Sequence, residues 1–124
     1  MTTKNLWSIA AVAALVLASV GSAQAKSLTT SGVFSASGET VYCTASNLNT
    51  SAREVSISFV GHNGNVLVGP VTSTVNASGV ANTSTGGLND FFYCKIDVEG
   101  STKNYRGALW VISGGVNTFF SEAR

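Results

Sequence analysis

The stretch FYCKIDVE, residues 92–99, alternates apolar and polar side chains along its whole length. Such alternation is typical of a β-strand that packs one face on a core and turns the other to solvent. The stretch VYCTAS, residues 41–46, alternates in the same way, and in both stretches the cysteine lies on the more apolar face. Inward-facing cysteines on two strands favour two sheets packed face to face, since one disulfide can then join them.

Further strands follow outward from these two along the chain. Alternation predicts strands within residues 54–60, 105–113 and 115–120, and a weaker first strand over 28–36. Asn63-Gly64 is a strong hairpin signal before the apolar run 66–68, because Asn and Gly tolerate positive φ. Residues 76–89 are poor in large apolar side chains and indicate a long loop or a frayed edge strand. We therefore predict an all-β fold, a single antiparallel β-sandwich of seven or eight short strands with one disulfide, whose architecture looks immunoglobulin-like for the reason given below.

The first 25 residues have the pattern of a cleaved secretory signal peptide. Lys4 precedes an apolar run over residues 6–20, and Ala23 and Ala25 form an A-x-A cleavage site before Lys26. The alternative is a membrane anchor, but the run is shorter than the ~20 apolar residues that a spanning helix needs. We expect a β-sandwich domain over residues 26–124 that is exported, to the periplasm or the cell exterior, with no membrane span after cleavage.

The two cysteines, Cys43 and Cys94, are predicted to form a disulfide, because exported proteins reside in an oxidising compartment. Two free or metal-binding thiols are the alternative, but neither CxxC spacing nor a nearby histidine supports it. The two cysteines are 51 positions apart. Closing a loop of that length should stabilise the fold by about 4 kcal/mol.

The pairing of an early and a late strand by one bridge is similar to the immunoglobulin fold, although Trp110 follows the second cysteine and Phe92 replaces the corner tyrosine. The pattern VYCTASNL, then an Asn-Gly hairpin, then FYCKIDVEG and YRGAL, resembles small exported bacterial two-cysteine β-sandwich proteins. This resemblance covers residues 41–109. It implies a fold and an exported location, and it carries no known activity.

Charge and motifs argue against several classes of function. Seven basic and six acidic residues give a net charge of +1, so we expect no nucleic-acid binding, which requires a clustered basic face. The single histidine, His62, lies in the predicted hairpin tip, and no catalytic or phosphate-binding motif is present. Asp97 and Glu99 suggest half of a cation site or a glycosidase pair, but the adjacent Lys95 favours a solvated strand face. We expect no enzyme, no metal and no cofactor.

Aromatic side chains are the remaining candidates for a binding site. Tyr42 and Tyr93, the neighbours of the two cysteines, point away from the predicted core and would stack on a sugar if their strands share a sheet. Trp110 is either a core residue at one end of the sandwich or part of an exposed face. Two hypotheses follow: a structural or protein-interaction module, or a carbohydrate-binding module that uses surface aromatics.

The predicted strand over residues 66–71 is the second candidate region. If residues 76–89 lie at an edge, this neighbouring strand has unpaired backbone groups, and only Pro70 protects it. A protein partner or a second copy of the chain would then dock by strand addition along Val66 and Val68. Replacement of Val68 with Lys is expected to abolish this association.

Overall fold

The structure, a computed structural model, describes residues 26–124 and confirms the all-β prediction. The predicted signal peptide lies outside the described residues. No helix within the described part is long and apolar enough to cross a membrane. A short turn of 3₁₀ helix, Thr102–Asn104, accompanies nine strands: β1 (Lys26–Thr29), β2 (Val33–Ser35), β3 (Thr40–Asn47), β4 (Arg53–Gly61), β5 (Val66–Val75), β6 (Val80–Gly86), β7 (Asp90–Val98), β8 (Tyr105–Ser113) and β9 (Val116–Ala123).

The strands form two antiparallel sheets. Sheet A has the order β1-β7-β4-β5, with β2 also paired to β7, and sheet B has the order β6-β3-β8-β9. Thr29 and Arg124 exchange two backbone hydrogen bonds of 2.9 Å, which join the end of β1 to the residue after β9. One lateral side of the sandwich is thereby closed.

The predicted disulfide is confirmed. Cys43 on β3 and Cys94 on β7 are bonded across the two sheets, with their Cα atoms 6.3 Å apart, and both are fully buried. Around the bridge the alternate residues of both strands form the core, as the period of the sequence predicts. The largest apolar side chains buried there are Phe59, Phe92, Ile57, Ile96, Leu109 and Val41.

The similarity to an immunoglobulin domain holds for the four central strands and the bridge. β3 pairs with β6 and β4 pairs with β7, as the corresponding immunoglobulin strands do. In an immunoglobulin domain the last strand pairs with the strand of the second cysteine. Here β8 pairs with β3 instead, and β1 and β2 lie beside β7. The flanking strands have therefore exchanged sheets.

One of two segments differs in detail from the sequence-based prediction. The first strand is split, because the chain leaves β7 after Thr29 and returns to it at Val33, so nine strands replace the predicted seven or eight. Between them the Thr30 hydroxyl accepts a hydrogen bond of 2.9 Å from the Cys94 backbone N–H. Residues 76–89 contain β6, an edge strand of sheet B, which was one of the two expected arrangements.

Asn47, at the end of β3, is a polar side chain buried between the sheets. Its Nδ2 donates to the backbone carbonyls of Ser51 and Val75, each at 3.0 Å. Its Oδ1 accepts from the Asn49 backbone N–H at 2.9 Å. The side chain thus connects the turn after β3 to the end of β5.

Candidate functional site

Tyr42 and Tyr93 do not form a joint surface. Tyr42 is on β3 in sheet B and Tyr93 is on β7 in sheet A, so their side chains lie on opposite outer faces of the sandwich. The reason is the bridge itself. A disulfide between inward-facing residues of two sheets requires the adjacent residues of each strand to point outward on different sides. The condition for these two tyrosines to stack on one sugar, a shared sheet, is therefore not met.

Tyr42 instead lies in line with two other aromatic residues on the outer face of sheet B. Trp110 on β8 is the direct cross-strand partner of Tyr42 on β3 and of Phe120 on β9. The Trp110 and Phe120 rings have centroids 5.5 Å apart and planes inclined by 45°. We call Tyr42, Trp110 and Phe120 the aromatic row. Trp110 is half-buried on this face, so its interpretation as a core residue is wrong.

Phe120 enters the row because β9 contains a bulge. The pairing register shifts between Ile112 and Val111, so that Thr118 is the extra residue on β9. The Thr118 hydroxyl donates to the Val111 carbonyl at 3.1 Å. Without the bulge, a two-residue turn would place Phe119 opposite Trp110. With it, Phe119 packs against the core and Phe120 is 49% exposed on the outer face.

A shallow depression of about 300 Å³ lies beside the row. Ala108 leaves this space because its side chain is small, whereas Gly107 faces the core, where a Cβ would clash with the Ile96 side chain. Polar groups surround the depression, and its lining residues are Thr44, Ser46, Arg106, Gly107, Ala108, Trp110, Phe120, Glu122 and Ala123. The depression thus combines two aromatic rings with hydroxyl, guanidinium and carboxylate groups.

The two charged side chains of the depression are held differently. Arg106 donates from Nη1 to the backbone carbonyls of Tyr105, at 2.9 Å, and Lys103, at 3.2 Å, which orients its guanidinium. Glu122 is exposed and makes no ion pair within residues 26–124. Both groups can therefore hydrogen-bond with a ligand placed against the rings.

The carboxylates of sheet A do not converge. Asp97 lies 3.8 Å from the Lys95 ammonium, whereas Glu99 accepts a hydrogen bond of 2.6 Å from the Glu54 backbone N–H. His62, in the turn between β4 and β5, contacts Asp90 at 2.7 Å. Among the described residues, no three His, Cys, Asp or Glu side chains are placed to hold a metal ion.

Val66 and Val68 lie on β5, which is an edge strand of sheet A as expected. The expected reason is wrong, because β6 lies at an edge of sheet B and does not pair with β5. Val66 is 53% exposed, but Val68 packs partly against the core. The register with β4 shifts between Val71 and Val68, so Gly69 and Pro70 form a bulge in the middle of the edge. The regular part of this edge is thus the later half of β5.

No protein-family model and no curated protein sequence matches the chain. Among solved structures, Thermotoga maritima 1070 aligns with a TM-score of 0.49 and 9% identity, over 82% of this chain and 94% of that one. Arthrobacter globiformis isomalto-dextranase complexed with panose aligns with a TM-score of 0.45 and 17% identity, over 77% of this chain and 16% of that one. TmCBM61 in complex with β-1,4-galactotriose aligns with a TM-score of 0.42 and 12% identity, over 73% and 65% of the two chains. TM-scores this low carry no inference about function.

Proposed function

We propose that this protein is an exported, non-catalytic β-sandwich module that binds a saccharide on the outer face of sheet B. The observation that carries the proposal is the aromatic row beside a polar depression. Aromatic rings offer flat apolar faces to the C–H face of a sugar ring, and polar groups around them fix the orientation of the hydroxyls. The buried bridge between Cys43 and Cys94 supports the exported location, because such bonds persist in oxidising compartments.

The rings and the charged groups make different contacts with the saccharide. Trp110 and Phe120 stack against the sugar, and Tyr42 extends the stacking surface to a third strand. Neighbouring strands lie about 4.8 Å apart, so three strands give a row about 10 Å long, which exceeds a single pyranose ring. The Glu122 carboxylate accepts hydrogen bonds from hydroxyls, and the Arg106 guanidinium donates to ring or hydroxyl oxygens.

Charge balance favours a neutral saccharide. The depression contains one guanidinium and one carboxylate, Arg106 and Glu122, whose charges cancel. Residues 26–124 contain six basic and six acidic side chains, so no overall field attracts a charged ligand. A non-catalytic role is supported by the single carboxylate in the depression, since glycoside hydrolysis normally uses a pair.

Affinity electrophoresis tests this proposal directly. The protein is run in native gels that contain hydroxyethylcellulose, arabinogalactan or dextran, and retardation reports binding. We expect retardation by at least one polysaccharide, and at least tenfold weaker binding for Trp110→Ala and Phe120→Ala. Leu48→Ala is the control, because Leu48 is 50% exposed and lies outside the row. Unchanged binding by Trp110→Ala would contradict the proposal.

A second candidate function is protein association along β5. This edge strand has no charged residue between Val66 and Val75 and exposes Val66, Leu67 and Val71. Natural edges are usually protected by charge, so an uncharged apolar edge favours strand addition. The bulge at Gly69 and Pro70 interrupts the ladder, which limits regular addition to the later half of the strand.

A further inference from the structure

We propose that the outer face of sheet A carries a second saccharide site, so that the protein is bivalent and links two saccharide chains. The site lies at the end of the sheet nearest the turn between β4 and β5. That the ligand of this second site is a saccharide rests on the function proposed for sheet B. The residues of the two sites are entirely separate.

An exposed pair of phenylalanines marks this second site. Phe34 on β2 and Phe91 on β7 are cross-strand partners. Their ring centroids are 5.3 Å apart, with the planes inclined by 61°. Phe34 is 46% and Phe91 is 62% exposed. Tyr93 follows Phe91 on the same face of β7, which places three aromatic rings at this end of the sheet.

The remainder of the same face is polar. Further along the sheet, the Ser56 and Thr72 hydroxyls are 2.7 Å apart, and the Lys95 ammonium pairs with Asp97. Aromatic exposure is therefore confined to one end of sheet A. Large apolar groups that stay exposed together on an otherwise polar surface are typical of a binding site.

A depression of about 330 Å³ adjoins the rings. It is lined by Gly32, Gly61, His62, Gly64, Phe91, Phe92 and Tyr93. Gly61 shows how tight this end is, since a Cβ there would lie 3.1 Å from the Asp90 carboxylate and 3.2 Å from Leu67.

Hydrogen-bonding groups border the depression and favour a sugar over an apolar protein surface. His62 Nδ1 is 2.7 Å from Asp90 Oδ1, and this oxygen also accepts from the Phe91 backbone N–H at 2.8 Å. These contacts fix the imidazole and leave its Nε2 directed away from Asp90. A sugar hydroxyl can bond with Nε2, whereas an apolar partner would bury the histidine without a replacement for water.

The position of the two sites determines what the protein does with its ligands. The sites are on the two outer faces of a sandwich whose sheets are packed about 10 Å apart. Their rings face in opposite directions, so one short oligosaccharide cannot contact both. Two sites of this kind cross-link two polysaccharide chains, or hold two segments of one long chain.

The test uses the same three polysaccharides, with one variant for each face. The sheet A variant is Phe34→Ala/Phe91→Ala, the sheet B variant is Trp110→Ala/Phe120→Ala, and a fourfold variant combines them. Retardation in native gels measures binding, and the turbidity of protein mixed with polysaccharide measures cross-linking. We expect the wild type to do both, each double variant to be retarded without turbidity, and the fourfold variant to do neither.

The outcomes separate the two proposals. A sheet A variant that produces as much turbidity as the wild type overturns bivalency, as does a wild type that is retarded but never cross-links. Full binding by the sheet B variant contradicts the sheet B site and leaves the sheet A site standing. Absence of retardation for every protein contradicts both. His62→Ala provides a second sheet A variant in an exposed turn, and it should reduce turbidity at least threefold with an unchanged melting temperature.

Discussion

The Asn47 amide is a small group on which the ends of both sheets depend. It is fully buried, and its donors and its acceptor are all bonded to the backbone of the turn after β3 and of the end of β5. A buried polar group that keeps its partners costs little, whereas its removal leaves each partner without water or a bond. The sequence gives no hint of this role, since Asn47 resembles any polar residue at the end of a strand.

We expect Asn47→Ala to lower the free energy of unfolding by about 3 kcal/mol, because it leaves several buried backbone groups unpaired. Urea denaturation followed by fluorescence measures the change. Asn82→Ala is the matched control, because Asn82 is exposed on β6, and it should stay within about 0.5 kcal/mol of the wild type. Equal effects of the two substitutions would refute the role of Asn47.

Tyr105 is a second residue with a testable role. Its ring is buried, and its hydroxyl donates to the Glu99 carbonyl, a contact similar to the tyrosine corner of immunoglobulin domains. Burial raises the pKa of Tyr105 above its usual 10.0, and the positive charge of Arg53 opposes this only in part. The folded state thus prefers the neutral phenol more strongly than the unfolded state does.

The neutral phenol contributes its full stability below pH 10.0, the pKa of Tyr105 in the unfolded chain. This contribution is lost as the pH rises through the higher pKa that Tyr105 has in the folded protein. We expect Tyr105→Phe to cost about 1 kcal/mol at neutral pH, from the lost hydrogen bond. Above pH 10 the difference in stability between the two proteins should shrink. Urea titrations at pH 7, 9 and 10.5 measure it, and a difference that stays constant or grows would contradict the assignment.

At the level of elements, alternation in the sequence predicts the strands that have one buried face. β3, β4, β7 and β8 fit this pattern because most of their inward residues are apolar. For β6 the sequence does not distinguish a loop from an edge strand, because its inward-facing residues, which include Ala81 and Thr83, are small and give no hydrophobic period. Apolar alternation in a sequence arises where one face of a strand is buried by large side chains. An edge strand with small inward residues therefore shows little alternation.

The aromatic row could be predicted only in part. Trp110 and Tyr42 are recognisable as candidates, but their pairing depends on β8 joining β3, which no local pattern encodes. Phe120 depends on the bulge at Thr118, because a regular hairpin would turn Phe119 outward instead. Neighbours across a sheet are fixed by strand order and register, and a single sequence contains neither explicitly.

The edge strand β5 gives a prediction about association. Thr74 lies in its regular half, opposite Glu54, and points outward. We expect a wild-type dimer in sedimentation experiments at high concentration, and at least tenfold weaker association for Thr74→Lys, because Lys protects an edge from strand addition. This substitution replaces Val68→Lys as the test, since Val68 packs partly against the core. Ser84→Lys on the edge strand of sheet B is the control, and equal effects of both would contradict docking at β5.

For the whole molecule, the disulfide is the main constraint on the unfolded chain. It closes a loop with a sequence separation of 51. The variant Cys43→Ala/Cys94→Ala should lose about 4 kcal/mol, a large share of the ~5–15 kcal/mol that a domain of this kind has. Guanidinium denaturation measures the loss, and reduced wild type should match the variant. A loss below about 1 kcal/mol would show that the loop-closure account does not apply.

The same bridge also decides how the domain responds to mechanical load. When the chain is pulled from its two ends, the segment between Cys43 and Cys94 cannot lengthen, because the covalent bond carries the tension. β8 and β9 lie outside this segment and can peel away, β9 first and then β8. Trp110 and Phe120 leave the sheet with them, while β4, β5 and β6 stay behind the bridge. Tension therefore dismantles the aromatic row and leaves the segment enclosed by the disulfide unextended.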